Sequence, residues 1–342
     1  MGLMSGTDQR PFRVAVAGVG HLGKIHAKIW NEHPEAELVA LVDSDAARAG
    51  ALADELGCRA LTDAGDLPDD LDGVSVVVST AAHADVAAGL LERGIACLVE
   101  KPLASDLGEA DRILAAAETG GGLLAVGHVE RFQPGVRAVR ELGLAPRFIE
   151  SHRLAPFSFR SLDVGVVHDL MIHDLDLVLY LCDSEVVSMD AAGGAILTER
   201  EDLASVRLVF ENGARASVTA SRASLTPMRR MRLFSSEGYV SLDFQQNYGL
   251  MVTKGPEFDR GREALRELDP ASLAQQSDWV TEEVLRVTEL ELEGEQRPLQ
   301  AELDSFLRSV RDGCEVEVSG ADGRRALELA DRIAADIAAQ TW

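Results

Sequence analysis

Five short apolar stretches, separated by four helical ones, fill the first third of the chain. The apolar stretches are FRVAVAGVG (Phe12–Gly20), AELVALVDSD (Ala36–Asp45), GVSVVVST (Gly73–Thr80), IACLVEKP (Ile95–Pro102) and LLAVGH (Leu123–His128). Between them lie HLGKIHAKIWNE, AARAGALADELG, HADVAAGLLERG and LGEADRILAAAETGG. Strands that are apolar along their whole length are covered on both faces. Helical connections bring each strand back in the same direction. This pattern predicts a parallel sheet sandwiched between helices. Gly57 stands where the second helix needs a residue free to turn left-handed and stop it.

The rhythm changes after about Glu130. RFIESHRLA (Arg147–Ala155) reads as a strand, and an apolar helix follows around Val164–Leu181. Alternating strands come next. Ala204, Val206, Leu208 and Phe210 share one face. A turn at Glu211–Asn212–Gly213 leads to a strand with Ala214, Ala216, Val218 and Ala220 on one side and Arg215, Ser217, Thr219 and Ser221 on the other. RRMRLFSSEGYVSLDF is a further hairpin turning at Glu237–Gly238. Such alternation predicts an antiparallel sheet with one buried face. Its polar face, rich in small residues and arginine, is expected to pack against a partner subunit, giving a homodimer or homotetramer. Residues 255–278 show no clear period and read as loop or helical excursion. Two amphipathic helices, LQAELDSFLRSVRDG and DGRRALELADRIAADIAAQ, close the chain.

A length of 342 residues suits about two domains with cores of their own. A net charge of −24 argues against a general nucleic-acid or anionic-membrane surface, both of which attract basic patches. The runs Asp69–Asp70–Leu71–Asp72 and Glu289–Glu295 read as solvated surface. The cysteines at 58, 97, 182 and 314 are far apart and form no C-x-x-C, which suits a reducing cytoplasm; Cys97 reads as a core residue. MGLMSGTDQR lacks the apolar centre of a signal peptide and reads as a frayed tail. No apolar run approaches the roughly 20 residues that span a bilayer.

The first strand runs into Gly18-x-Gly20-x-x-Gly23 and then a helix, and an acid, Asp43, ends the second strand. In that context the glycines have distinct tasks. Gly18 permits the tight turn, Gly20 lets backbone approach a pyrophosphate, and Gly23 lets helix pack on strand. The free N–H groups at the helix start face the phosphates. Val19, His21 and Leu22 complete the loop. Asp43 can hold both hydroxyls of an adenosine ribose and repels a 2′-phosphate, so NAD is the expected cofactor. The expected fold is thus α/β followed by α+β. Residues 1–10 are a flexible tail and 11–129 a Rossmann dinucleotide-binding domain. Residues 130–342 are a substrate-binding and oligomerisation domain built on an open, mainly antiparallel sheet, with the closing helices able to pack back on the first domain.

A second feature stands at the end of the fourth predicted strand, where CLVE runs into Lys101. Only four lysines occur, at 24, 28, 101 and 254, against 29 arginines. Where charge alone is needed the chain uses arginine. Lysine alone of the two can release a proton when its surroundings lower its pKa from about 10.4. As a plain strand-end charge Lys101 would need no explanation; the motif around it gives one.

The Gly motif with His26 behind it, STAAHADV after the third strand, Glu100–Lys101–Pro102, DLMIHDLD (Asp169–Asp176) and the closing PLQAELDSFLRSVRDG…SGADGRRALELA resemble the Gfo/Idh/MocA family of nicotinamide-dependent sugar and polyol oxidoreductases. The likeness covers nearly the whole chain. It implies that Lys101 lies by the nicotinamide beside the hydroxyl to be oxidised, with Asp169 and His173 completing the catalytic set. Alcohol oxidation removes a hydride to the cofactor and a proton to a base of near-neutral pKa. His173 follows Asp169 at helical spacing, so the carboxylate can orient and charge-stabilise the imidazole. His173 is expected to take the proton and Lys101 to polarise the oxygen, although the two roles can be exchanged. Thr80, His83, Glu100 and Lys101 are expected at the cofactor, with His83 near the nicotinamide. A histidine in an apolar helix is often only a satisfied core residue. Asp176 shares a face with Asp169 and His173, but no third nitrogen or sulfur ligand accompanies them, and no metal is expected. Asp174 and Asp176 read as bracing groups. His168 stands where the family usually has a non-ionisable residue.

VGHVERFQPGVRAV (Val126–Val139) and His152–Leu181 are similar to the branch of that family that oxidises the 3-hydroxyl of UDP-N-acetylglucosamine. A diphosphate calls for arginine forks. Arg131, Arg153 and Arg160 are candidates, with His128, Glu130, Lys101 and His173 also expected at the substrate, and Phe157 and Phe159 able to pack on a base or sugar face. Each arginine can equally brace the domain junction. Two other readings stay open: a polyol or monosaccharide dehydrogenase of the inositol type, and a non-catalytic dinucleotide-binding regulator, against which the joint presence of Lys101, Asp169 and His173 argues.

Overall fold

The computed structural model describes residues 10–158, 164–267, 279–292 and 297–340. They divide into two compact units, Met1–Val129 with Gln296–Leu327, and Glu130–Glu295 with Glu328–Trp342.

The first unit carries a six-stranded, all-parallel sheet. Its strands are β1 (Phe12–Ala17), β2 (Ala36–Val42), β3 (Arg59–Leu61), β4 (Gly73–Val76), β5 (Ala96–Glu100) and β6 (Leu124–Gly127), in the order β3-β2-β1-β4-β5-β6. The order reverses at β1, which leaves a crevice at the carboxyl ends of β1 and β4 where ligands bind in this topology. Helices α1 (His21–Glu32), α2 (Ala46–Leu56), α3 (Thr80–Glu92) and α4 (Leu107–Gly120) connect the strands. The sequence reading missed the short edge strand β3; its three residues are too few to show a period. Gly57 ends α2 in the left-handed conformation, φ 74°. Phe12, Trp30, Leu41 and Leu98 centre the core, and the Trp30 indole N–H donates to Ser75 Oγ at 2.9 Å, so its one polar atom is not buried unpaired. Phe306 meets Phe12 edge to face, ring centres 6.2 Å apart. Cys97 is fully buried.

The second unit begins with α5 (Pro134–Glu141) and β7 (Phe148–Leu154). A π-helical turn over Val167–Met171 runs into α6 (Ile172–Cys182). Then come β8 (Val186–Gly194), β9 (Leu203–Phe210), β10 (Arg215–Ser221), β11 (Met228–Phe234), β12 (Tyr239–Asp243), β13 (Tyr248–Lys254), α7 (Phe258–Glu267) and β14 (Leu285–Glu289). The eight strands lie in the order β14-β13-β12-β11-β7-β10-β9-β8. All pairs are antiparallel except β7 with β10, so the sheet is mixed, mainly antiparallel. The buried face is the one the alternation predicts: Ala204, Val206, Leu208, Phe210, Ala216, Val218 and Ala220 are each at most 1% exposed. The chain closes with α8 (Pro298–Asp312) and α9 (Gly320–Ala338). Among the described residues no helix is long and apolar enough to cross a membrane.

Candidate active site

The glycine turn is built by close contacts. Gly18 has φ +91°, and a Cβ there would stand 2.4 Å from the Val77 carbonyl oxygen. A Cβ on Gly23 would stand 1.8 Å from the Gly18 carbonyl oxygen, so α1 can lie against the turn only with glycine at that position. Gly20 is the opposite case: a Cβ there would meet nothing within 4 Å, so its surface is open. No side chain caps α1, which leaves its first N–H groups to a ligand. Val19 is buried, while His21 and Leu22 are exposed.

Gly18, Gly20, Val42, Asp43, Arg48, Val77 and Ser79 line a cleft of about 690 Å³. Asp43 is 8% exposed. Its Oδ2 accepts the Val19 N–H and its Oδ1 the Asp45 N–H, each at 3.0 Å. Arg48 Nη1 donates to both oxygens at 3.2 and 3.3 Å. Burial pushes the Asp43 carboxyl up, but the two N–H groups and Arg48 outweigh it and hold it below the usual carboxylate range. An open glycine, an uncapped helix start and an anionic carboxylate around one cleft fit a dinucleotide. Arg48, Ser79 and Thr62–Gly65, also on the cleft wall, were not anticipated from the sequence. Arg48 had a signal: it stands five residues beyond Asp43, in the first turn of the helix that follows it. Thr80, expected at the cofactor, opens α3 beside Ser79 and is not part of the cleft wall.

At the end of β5, Glu100 is buried and Lys101 half-buried. Glu100 Oε2 accepts the Lys101 backbone N–H at 3.1 Å, and Oε1 lies 3.3 Å from His26 Nε2. His83, expected near the nicotinamide, is 1% exposed, with Nδ1 3.0 Å from the Pro102 carbonyl and Nε2 3.2 Å from the Val78 carbonyl. It ties together the loops that follow β4 and β5. Burial dominates and pulls its pKa down against the pull of those carbonyls. His128, just after β6, is fully buried.

In the second unit the π turn spans Asp169, and His173 lies in the first turn of α6; both are half-buried. A π turn inserts one residue into a helix and is frequent at functional sites. His168 Nε2 lies 2.7 Å from Asp331 Oδ1 on α9. Asp174 and Asp176 brace arginines. Arg131 places Nε and Nη2 on the two oxygens of Asp176 at 2.9 and 2.6 Å, under the Tyr180 ring. Arg153 reaches Asp174 at 2.6 Å and Glu130 at 3.3 Å. Arg153 and Arg229 face each other across β7 and β11. Like charges so placed repel; Glu130, 2.5 Å from Arg229 and shared with Arg153, and Asp174 on Arg153 together balance the two. Burial pushes the Glu130 carboxyl up, but Arg153 and Arg229 hold it below its usual range. The forks of Arg131 and Arg153 are thus committed to internal carboxylates. Arg229 was not singled out from the sequence; its signal was a place on the inward face of β11. Phe157 is exposed. Phe159 and Arg160 lie outside the described residues.

Residues 12–128 match the family model described as oxidoreductase family, NAD-binding Rossmann fold, and residues 146–241 match the GFO/IDH/MocA C-terminal domain. The UDP-N-acetylglucosamine 3-dehydrogenase of Acidithiobacillus ferrooxidans is 36% identical over 319 residues, 93% of this chain and 95% of that protein. This chain belongs to the Gfo/Idh/MocA family. As a member it is an oxidoreductase that uses NAD, in agreement with the cleft around Gly20 and Asp43. The inositol 2-dehydrogenase of Rhizobium meliloti is 27% identical over 343 residues, 95% of this chain and 97% of that one. The solved structure of the Acidithiobacillus enzyme, GnnA, has a TM-score of 0.83 at 35% identity, covering 96% of this chain and 98% of its own.

Proposed function

We propose that this chain oxidises a secondary hydroxyl of a nucleotide sugar to a ketone, the 3-hydroxyl of UDP-N-acetylglucosamine or of a close UDP-sugar. The observation that carries the substrate is the 36% identity over 93% of the chain to a dehydrogenase of that name, against 27% to an inositol 2-dehydrogenase. Bound NAD supplies the hydride acceptor. The chain's own residues do the rest. Lys101 donates a hydrogen bond to the reacting oxygen and stabilises its developing negative charge. His173 removes the hydroxyl proton, and Asp169 orients the imidazole and stabilises its charged form. Asp43 and the N–H groups at the start of α1 hold the cofactor. With Arg131 and Arg153 bound to carboxylates, they shape the substrate region by bracing it, and Arg160 is the remaining candidate for the diphosphate.

The test is the appearance of reduced nicotinamide when NAD⁺ is mixed with UDP-N-acetylglucosamine, other UDP-sugars, myo-inositol and free monosaccharides. Turnover of UDP-N-acetylglucosamine well above the rest is expected. Turnover of inositol alone would replace this reading with the polyol one, and binding of NAD⁺ without turnover of any of them would favour a regulator.

A further inference from the structure

The π turn that carries Asp169 is held at its start by the loop between β8 and β9, which ends in Glu201 and Asp202. Asp202 is buried and gathers that loop around itself. Its Oδ2 accepts the N–H groups of Ile196, Leu197 and Thr198, and Thr198 Oγ1 and Arg222 Nε donate to Oδ1 at 2.9 and 2.8 Å. Arg222, just past β10 and also buried, reaches on to the Val164 carbonyl with Nη1 at 2.8 Å. Buried charges with their hydrogen bonds made fix one arrangement of the backbone around them. Glu201, half-buried, stands on this base and meets the start of the turn in three ways. Its carbonyl accepts the Val166 N–H at 2.9 Å. Its Oε1 accepts the Val167 N–H at 3.3 Å. Val166, at the cap position, makes no side-chain cap, so a carboxylate from another loop takes one of the donors that a helix start leaves open. Third, Gly165 lies against the carboxylate: a Cβ there would stand 1.8 Å from Glu201 Oε1. The Gly165 carbonyl in turn accepts the Asp169 N–H at 3.1 Å. One residue therefore separates Glu201 from Asp169 along the path of contacts. All of these groups belong to the second unit.

We propose that Glu201 is a positioning residue: it sets where the π turn begins and, through the hydrogen bond from Asp169 to Gly165, where Asp169 stands relative to His173. Arg222 and Asp202 hold Glu201 in place for this task. The inference rests on the reading that Asp169 orients the His173 imidazole, and one arm of its test needs no substrate.

Gly165 makes the test specific. Its backbone is outside the left-handed region, and the atom a Cβ would meet is the end of a flexible side chain, so Gly165→Ala swings the Glu201 carboxylate off the Val167 N–H. The first arm is amide hydrogen exchange followed by NMR. In Glu201→Ala and in Gly165→Ala the Val167 and Asp169 amides should exchange about tenfold faster or more, the scale of one lost hydrogen bond, while the amides of β9 and β10 keep their rates. Glu201→Gln still offers an acceptor oxygen and should keep the wild-type rates. The second arm is turnover with the sugar that reduces NAD⁺. Glu201→Ala and Gly165→Ala should each lower kcat by about tenfold or more, as for a displaced catalytic group, with KM for NAD⁺ unchanged, and Glu201→Gln should restore kcat. The double variant Gly165→Ala/Glu201→Ala should be no slower than Glu201→Ala, because the added methyl has no carboxylate left to displace. Unchanged exchange in the two alanine variants would overturn the proposal. So would losses that multiply in the double variant, a Glu201→Gln as slow as Glu201→Ala, or wild-type kcat in Glu201→Ala. If UDP-N-acetylglucosamine is not turned over but exchange behaves as stated, the substrate reading fails and the anchoring of Asp169 by Glu201 stands.

Discussion

Arg131 binds both oxygens of Asp176, Nε donating to Oδ2 at 2.9 Å and Nη2 to Oδ1 at 2.6 Å, and neither side chain is more than 3% exposed. The α6 carboxylate thus spends both oxygens on one fork. Lysine cannot make that pair, because it is a point charge without the planar donors. Removing one partner of a buried pair leaves the other charge unpaired, at a cost of about 3–5 kcal/mol. Arg131→Lys and Asp176→Asn should each lower the urea midpoint markedly, while an exposed pair such as Lys28–Glu55 should tolerate Lys28→Ala with a change under about 1 kcal/mol. Equal midpoints for wild type and Asp176→Asn would show that the pair contributes nothing.

Asp43 and Arg48 make opposing predictions for the cofactor. In the proposed cofactor pose the anionic Asp43 would repel a 2′-phosphate, and Arg48, beside it, could receive one. NAD⁺ should be preferred, and Asp43→Ala should narrow the ratio of kcat/KM values by about ten- to a hundredfold, about 1.4–2.7 kcal/mol. Arg48→Ala should widen it. Equal or better use of NADP⁺ by the wild type would remove the role given to Asp43.

Lys101→Arg keeps the charge but enlarges the head group and changes its donor geometry. A drop in kcat of about a hundredfold or more is expected, as for the loss of a positioned catalytic group. His173→Ala should fall comparably, and the double variant should fall far less than the product if the two act as one unit. NAD⁺ affinity should change little in either, since Gly18–Gly23 and Asp43 hold the other end. Wild-type turnover by Lys101→Arg would show that its head group is not at the reacting oxygen.

Acid should loosen the second unit through Glu130. Its folded-state pKa lies below the free value, so its stabilising contribution is complete above the free pKa of about 4.3 and is lost as pH falls through the lower folded value. Glu130→Gln should therefore be less stable than wild type at neutral pH, and the difference should shrink as the pH approaches the folded value. A difference independent of pH down to that range would mean that packing, not charge, makes Glu130 important.

The outer face of the second unit's sheet carries Arg215, Ser217 and Thr219, as the alternation predicts, and also an aromatic row, Phe148, Phe234 and Tyr239, with ring centres 5.8 and 4.8 Å apart. A half-apolar open face suits self-association about a two-fold axis. Light scattering at micromolar concentration should give a dimer or tetramer, and Phe234→Asp should weaken it. A wild-type monomer at that concentration would dispose of the idea.

The sequence by itself determined the two sheet types, because strand burial writes a period: unbroken apolar runs for β1, β2, β4, β5 and β6, strict alternation for β9 and β10. It determined the cofactor turn too, since Gly18 and Gly23 are demanded by backbone contacts within a few residues or one strand away. It did not show β3, which has three residues, β8 and β14, which sit at the sheet edges, or β13, next to the edge, whose mostly half-exposed residues blur the period. Nor did it tell which arginines are spoken for. Asp176 takes Arg131 across 45 residues, Glu130 takes Arg229 across 99, and His26 meets Glu100 only because α1 and β5 pack together. The parallel pairing of β7 with β10 belongs to the same class. Local spacing specifies what a residue can do. Which partner occupies it is decided by pairings between distant segments, and these exist only once burial has closed the fold and made an unpaired charge expensive.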